Sequence, residues 1–180
     1  STTLFRSRSQ IRIVTADGNG TQLQKDDGYV DASITITDTD SSTLSGSVQF
    51  KVRGNSTAFH TILKKAFTFK FSTKKDVLGM GKGKKWALIA NAMDPSLLRN
   101  YIALELAREM GLAYTSEQKY VELWVDGSYR GCYTLTEPVQ EGKDRVNIDI
   151  ESSGGMKDFL IEREVNRDEE GVSYFTTEED

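Results

Sequence analysis

The sequence predicts an α+β fold in which a mainly antiparallel, twisted β-sheet packs against one long helix. Three observations indicate this class: apolar and polar residues alternate between residues 11 and 75, a run of helical period covers residues 95–110, and a hairpin signal follows it. We expect roughly five to seven strands around a single core. A chain of 180 residues can bury such a core, so we treat it as one unit.

Five runs before the helix have the composition of strands. Clusters of Asp, Gly and Ser, which favour turns, separate the first four of them. In the fourth run Phe67, Phe69 and Phe71 fall on one face, while Thr68 and Lys70 fall on the other. The five runs read IRIVT, YVDASITIT, GSVQFKVRGN, KKAFTFKFS and WALIA.

The helix predicted at residues 95–110 has signals at both ends. Asp94 is expected to be its N-cap, Pro95 its first residue, and Gly111 the residue that ends it. Its large apolar face should pack on the sheet. That face consists of Leu97, Leu98, Tyr101, Ile102 and Leu104.

A hairpin is predicted after the helix. Asp126 and Gly127 favour a two-residue type I′ turn between the runs KYVELWV and SYRGCYTLT. The runs RVNIDI and DFLIERE predict two further strands. The aromatic residues of the hairpin are expected in the core rather than exposed for contact with a partner; they are Tyr120, Trp124, Tyr129 and Tyr133.

The composition argues against several classes of function. The net charge of −4 and the pI near 5.2 disfavour a general nucleic-acid or membrane binder. One cysteine, Cys132, and one histidine, His60, allow neither an internal disulfide nor a protein-only zinc site, so we assign no metal ligand. No run of about 18 apolar residues is available to span a membrane. The opening STTLFRSRSQ has no hydrophobic signal core, which fits a cytosolic or an already processed chain.

The stretch LGMGKGKKWALIAN, residues 78–91, places three glycines and several lysines ahead of an apolar run. Its spacing does not match a phosphate-binding loop, because the second glycine of a P-loop counted from Gly79 would fall on Lys84. The WALIA that follows also reads as a strand and not as a helix. We therefore interpret the stretch as a turn between strands with solvated lysines.

Glu105 projects between Leu98 and Tyr101 of the predicted apolar face, so its carboxylate needs a partner. One alternative is a local pair with Arg108 at i+3. The other is a lysine from a neighbouring strand, as in protein kinases, where a helix glutamate holds the lysine that touches the nucleotide phosphates. Lys70 is the first candidate for that lysine, although a lysine on a half-exposed strand is commonly just solvated.

The turn RGNST, residues 53–57, directly follows a strand. Gly54, Asn55 and Ser56 could present backbone N–H groups and a hydroxyl to an anion. The alternative is an ordinary Gly-Asn-Ser turn. The sequence contains no His-Arg-Asp catalytic loop and no convincing nucleophile elbow for a Ser-His-Asp triad.

Six stretches of the chain carry a family resemblance by their order and spacing: VRGNST, KKAFTFKF, LGMGKGKKWALIANAMDPSLLRN, LAREMGLAYT, YVELWVDGSYRGCYTLTEPV and GKDRVNI. Together they resemble the spore-coat protein H (CotH) kinase family, from about residue 29 to the end of the chain. The third stretch followed by LAREMGL is the most specific part. The chain departs from the family pattern at Thr68, where the family usually has arginine.

The resemblance implies the N-terminal, nucleotide-lobe region of an atypical protein kinase over residues 29–180, with residues 1–28 as an N-terminal β extension. The complete protein would bind ATP and Mg²⁺ and phosphorylate Ser or Thr in secreted, spore-coat or surface proteins. A protein with Ser/Thr-rich segments is the implied partner, and the implied location is outside the cell or on the spore, with the cytoplasm left open by the sequence. The catalytic and metal-binding aspartates are expected after residue 180, so this chain alone should bind ATP weakly.

The resemblance also implies roles for individual residues. Lys70 would be the catalytic lysine and Glu105 its helix partner, and the two should converge on one pocket. The residues implied to bind the cofactor are Arg53, Gly54, Asn55 and Ser56 near the phosphates, Lys65 as the alternative lysine, and Glu137 and Val139 of TEPV at the hinge. The competing hypothesis is a non-catalytic, β-rich surface scaffold or adhesion module.

Overall fold

A computed structural model of the chain describes residues 8–54 and 64–148. This part of the chain forms seven β-strands, one α-helix and a short 3-10 turn at Lys25–Asp27. The strands are β1 (Ser9–Thr15), β2 (Val30–Thr37), β3 (Thr43–Arg53), β4 (Ala66–Asp76), β5 (Lys82–Ile89), β6 (Gln118–Val125) and β7 (Ser128–Thr136), and the helix is α1 (Arg99–Glu109).

The seven strands close into a barrel in the order β1-β2-β3-β4-β5-β7-β6. Neighbouring strands are antiparallel except β1 and β6, which run parallel with Ile11 opposite Leu123 and so close the barrel. The predicted fold class is therefore wrong, because the strands do not form an open sheet covered by a helix. The boundary predicted at residue 28 falls between β1 and β2, which pair with each other.

Alternating side chains of the strands fill the barrel interior. Phe50 stacks on Phe67 with ring centroids 4.8 Å apart, and Phe69 meets Phe71 edge to face at 5.8 Å. The predicted placement of Phe67, Phe69 and Phe71 on one face is thus confirmed, and the structure shows that all three are buried. The prediction for the hairpin aromatics holds only in part, because Tyr133 is fully buried while Tyr129 is 56% exposed.

The helix begins later than predicted and does not serve as a cover for the core. The carboxylate of Asp94 accepts hydrogen bonds from the backbone N–H groups of Ser96 (3.2 Å) and Arg99 (3.0 Å), so residues 94–98 form a turn ahead of α1. No residue of α1 is buried, and Ile102 and Leu106 are each 56% exposed. The physical reason is that a closed barrel fills its own interior and leaves no open sheet face for a helix.

Two turn predictions are confirmed. Gly111 has a φ of +77° at the end of α1, and its N–H bonds back to the carbonyl oxygen of Arg108 at 3.0 Å. Asp126 and Gly127 have φ values of +46° and +77°. Positive φ at both central residues is the requirement of the type I′ turn that was predicted between β6 and β7.

The carboxylate of Asp126 also ties the hairpin turn to the end of β1. It accepts hydrogen bonds from the backbone N–H (2.7 Å) and hydroxyl (2.8 Å) of Thr15 and from the N–H of Gly20 (2.6 Å). Residue 20 has to be glycine here, because a Cβ would lie 2.6 Å from Thr15 Cγ2 and 2.8 Å from Asp126 Oδ2. These contacts secure one end of the parallel pair that closes the barrel.

The strand predicted at RVNIDI is not present over residues 145–148. Val146 forms only an isolated bridge with Glu141. The side chain of Arg145, a polar position in the predicted strand, is buried against the barrel. The strand predicted at DFLIERE lies outside the described residues. Within the described ranges there is no helix with the length and apolar character needed to cross a membrane.

Candidate functional site

A cleft of about 280 Å³ opens on the outside of the barrel, where β3, β4 and β5 meet the segment after β7. The strand register explains its position, because Lys51 of β3 lies opposite Thr68 of β4, and Thr68 lies opposite Ala87 of β5. The residues that line this basic cleft are Lys25, Lys51, Val52, Arg53, Gly54, Thr68, Lys85, Trp86, Ala87 and Pro138.

Among the described residues that line the basic cleft, four are cationic, namely Lys25, Lys51, Arg53 and Lys85, and none is acidic. The ammonium of Lys51 lies 4.5 Å from the ring centroid of Tyr29. Burial lowers the pKa of Arg53, but an arginine stays protonated at neutral pH. Cations gathered on low-dielectric walls attract anions, so the chemistry of this cleft favours a phosphate group.

The predicted phosphate loop is described in part. Arg53 and Gly54 line the basic cleft, so the structure brings these two residues to a site where they could meet an anion. Asn55 and Ser56 lie outside the described residues. Gly54 has a φ of +85°, a conformation that glycine adopts without strain and that turns its backbone away from β3.

Neither lysine predicted to bind phosphate lines the basic cleft. Lys70 lies opposite Gln49 and Lys85 on the outer face of β4 and lines a separate, wider groove of about 890 Å³. The ammonium of Lys65 donates hydrogen bonds to the carbonyl oxygen of Leu23 (2.9 Å) and to Gln24 Oε1 (2.5 Å), and burial lowers its pKa. Lys65 therefore holds the segment before β2.

Glu105 forms the local ion pair with Arg108. Its carboxylate accepts a hydrogen bond from Arg108 Nη1 at 2.7 Å, and both side chains are 38% exposed. Among the described residues Glu105 pairs with neither Lys65 nor Lys70, and it does not line the groove that contains Lys70. The expected convergence of Lys70 and Glu105 on one pocket is therefore not seen in the structure, because α1 lies outside the barrel.

Glu137 is buried behind the basic cleft instead of opening into it. Its carboxylate forms an ion pair with Arg145 Nη1, and each side chain is 2% exposed. The hydroxyl of Tyr114 donates a hydrogen bond to Glu137 Oε1 at 2.5 Å. Burial and this hydrogen bond raise the pKa of Tyr114 to about 12. Of the next two residues, Pro138 lines the cleft and Val139 is 61% exposed.

The guanidinium of Arg145 sits in a space formed by the glycine-lysine stretch. Its carbon atom lies 4.7 Å from the ring centroid of Trp86, and Nη1 donates to the carbonyl oxygen of Met80 at 3.2 Å. A Cβ at Gly83 would lie 2.1 Å from Nη2, so only glycine leaves room there. Nε and Nη2 form no hydrogen bond with any described residue.

Sequence reasoning missed this buried arginine and its contacts. It interpreted the glycine-lysine stretch as a turn, and the positive φ values of Gly79 (+74°) and Gly81 (+79°) fit that interpretation. A usable signal was present in Gly83, because a glycine inside a strand often marks the close approach of another group. The partner that approaches, Arg145, comes from the distant stretch GKDRVNI.

The basic cleft fits a phosphate group but not the Mg²⁺ that the resemblance implies. Magnesium prefers carboxylate oxygens, and the lining residues that the structure describes provide none. In residues 8–54 and 64–148 no group of three His, Cys, Asp or Glu side chains is placed to hold a metal ion. No step that requires a metal is therefore derived from these residues.

The fold and the site define a closed β-barrel domain with a cation-lined cleft on its outer wall. A family model described as CotH kinase protein matches residues 50–172, which include the end of β3, all of β4 to β7 and the segment from Glu137 to Arg145. The chain belongs to the CotH kinase protein family. Comparison with curated proteins gives no match.

Proposed function

We propose that this chain is the N-terminal, phosphate-binding part of a CotH-like protein kinase. The complete protein would bind ATP and phosphorylate Ser or Thr of secreted, spore-coat or surface proteins. The observation that carries the proposal is the basic cleft, in which Lys51, Arg53 and Lys85 surround a space beside the hydroxyl of Thr68. Membership in the family supports the choice of a nucleoside triphosphate as the anion.

The role assigned to these residues is positioning. Phosphoryl transfer depends on holding the phosphates in place and on stabilising the charge that develops on their oxygens. Lys51 and Lys85 can supply point charges, while Arg53 can donate two parallel hydrogen bonds to one phosphate. Thr68, at 3% exposure, adds a hydroxyl in the position where the family usually has arginine.

Following the family resemblance, the proposal assigns Mg²⁺ binding and activation of the attacking hydroxyl to residues after position 180. We therefore expect the 180-residue chain to bind ATP weakly, with a dissociation constant on the order of 1 mM. We also expect it to transfer no phosphate to a Ser/Thr-rich peptide. Both properties should appear in the complete protein.

Calorimetric titration with ATP, with and without magnesium, and a radiolabel transfer assay test this proposal. Weak binding to the chain that does not depend on magnesium, without transfer, is the expected result. Robust metal-dependent phosphorylation by residues 1–180 would show that the catalytic groups have been misplaced. A complete protein that neither binds ATP nor transfers phosphate would contradict the kinase assignment itself.

A non-catalytic surface scaffold is the second candidate, and one observation favours it. Leu98, Ile102, Leu106 and Met110 follow each other at four-residue spacing along α1 and its end, and they are 46% to 71% exposed. Such an apolar ridge can serve as a contact surface. The ATP titration separates the two candidates, because a scaffold has no reason to bind a triphosphate at the basic cleft.

A further inference from the structure

We infer that Arg145 is a positioning residue of the basic cleft: it joins two walls of the cleft from behind and cancels the charge of the buried carboxylate next to it. The inference rests on the proposed function only in naming phosphate as the ligand. Arg145 itself does not line the cleft and is 5% exposed. Its effect must therefore pass through the residues that it contacts.

The first wall contains Trp86 of β5. The guanidinium of Arg145 lies over the indole ring at 4.7 Å, and the indole N–H of Trp86 donates to the carbonyl oxygen of Gly83 at 3.2 Å. The ring is thus held on one face by a cation and at its edge by a hydrogen bond. Lys85 and Ala87 flank Trp86 and also line the cleft, so the contact of Arg145 with the indole ring supports this wall.

The second wall contains Pro138. It follows Glu137, whose carboxylate is held by Arg145 and by the hydroxyl of Tyr114. No strand within the described ranges pairs with the chain at Glu137, so these side-chain contacts help to fix the course of the segment after β7. Arg145 is the residue common to both walls.

The ion pair of Arg145 and Glu137 also affects the electrostatic potential in the cleft. Glu137 is a buried carboxylate next to the lining residue Pro138, and in a low-dielectric setting a lone negative charge there would repel an anion in the cleft. Arg145 neutralises it at contact distance. Loss of the arginine would therefore both loosen the walls and weaken the attraction for phosphate.

Gly83 offers a way to displace the guanidinium without changing any charge. In Gly83→Ala the new methyl group would need the position that Arg145 Nη2 occupies, at 2.1 Å, and the end of the arginine side chain would have to move. Arg145→Lys keeps the charge but loses the planar group over Trp86. The matched control is Gly46→Ala in β3, where the added Cβ would be 3.6 Å from Phe71, an ordinary contact.

The experiment measures two properties of the full 180-residue chain at 10 °C. Circular dichroism first confirms that each variant is folded at this temperature. The first is the affinity for inorganic triphosphate by calorimetry. The second is the NMR amide signals of Ala87 and Val139, which report on the two walls without ligand. If neither Gly83→Ala nor Arg145→Lys folds, Glu137→Gln, which keeps the side-chain shape, replaces them for the amide signals alone, because the lost negative charge would itself favour anion binding. A shift of both amide signals is then expected, and unchanged signals would overturn the inference.

We expect both variants to bind triphosphate about tenfold more weakly, by analogy with the loss of a side chain that orients a metal ligand, and to shift both amide signals. Gly46→Ala should match the wild type. A merely structural arginine would lower stability and leave affinity and signals of the folded variants unchanged, which would overturn the inference. If the wild type fails to bind triphosphate, the proposed function is wrong, and the two amide signals alone decide whether Arg145 positions the walls.

Discussion

Arg145 and Glu137 form an ion pair in which both side chains are 2% exposed, and the guanidinium of Arg145 also lies over the ring of Trp86. Removing one partner leaves the other as an uncompensated buried charge. We predict that Arg145→Met lowers the free energy of unfolding by about 3–5 kcal/mol. Urea denaturation followed by circular dichroism measures this loss.

The control for this prediction is the double variant Glu137→Gln with Arg145→Met, which removes both charges. It should regain at least half of the lost free energy, because no lone buried charge remains. If the single and the double variant are equally unstable, packing of the arginine stem, and not charge compensation, is the reason for its burial.

The contacts of Asp126 predict a second effect on stability. Three hydrogen bonds of 2.6–2.8 Å join its carboxylate to Thr15 and Gly20. Asp126→Ala removes them and places alanine at a φ of +46°, so we expect a loss of about 2–3 kcal/mol in unfolding free energy. Asp126→Asn should lose less, because asparagine tolerates this φ and keeps an acceptor oxygen. Equal losses in the two variants would contradict this account.

The exposed pair of Glu105 and Arg108 predicts a small effect. Because both side chains are 38% exposed, Glu105→Ala should change the free energy of unfolding by less than about 0.5 kcal/mol. It should also leave triphosphate affinity unchanged in the calorimeter. A clear loss of affinity would restore the kinase-like pairing with a strand lysine that the structure does not contain.

The tyrosines predict how stability depends on pH. Burial raises the pKa of Tyr133 to about 12, and burial together with the Glu137 hydrogen bond raises that of Tyr114 to about 12, from a usual value of 10.0. The folded state therefore holds protons that the unfolded state has lost between pH 10 and 12, and stability should fall over that window. Urea midpoints at pH 9, 10 and 11 measure the fall. The double variant Tyr114→Phe with Tyr133→Phe should lose less stability between pH 9 and 11. An unchanged dependence of the urea midpoint on pH would show that these two tyrosines are not its cause.

The sequence was sufficient for the local features. Apolar patterns located the seven strands of the described residues, although they also predicted a strand at RVNIDI that is absent over residues 145–148. Gly111 and the Asp126–Gly127 pair identified two turns, because a turn depends on neighbouring residues alone. Closure of the barrel depends on the parallel pairing of β1 with β6, whose residues are far apart in the chain. Nothing in either run specifies that partner. The sequence therefore predicted that the apolar face of the helix packs on the sheet, although the strands alone fill the core.

The residues of the candidate site also fall into those with a local sequence signal and those that only the fold brings together. Arg53 and Gly54 were predicted near the phosphates from a Gly-Asn-Ser turn that follows a strand, which is a local signal, and both line the cleft. Lys51 and Lys85 were missed because their approach follows from the register of β3, β4 and β5. Arg145 was missed because its partners, Glu137 and Gly83, lie in different elements and only the folded chain brings them together.

The most direct test of the central claim, that the basic cleft binds phosphate, compares two lysines that face each other across β4 and β5. Lys85 lines the cleft, while its cross-strand neighbour Lys70 lines the separate groove. The measurement is calorimetric titration of Lys85→Gln and Lys70→Gln with inorganic triphosphate at two salt concentrations. The account predicts weaker binding with a smaller salt dependence for Lys85→Gln and wild-type behaviour for Lys70→Gln. The reverse result would contradict it and would return the phosphate site to Lys70.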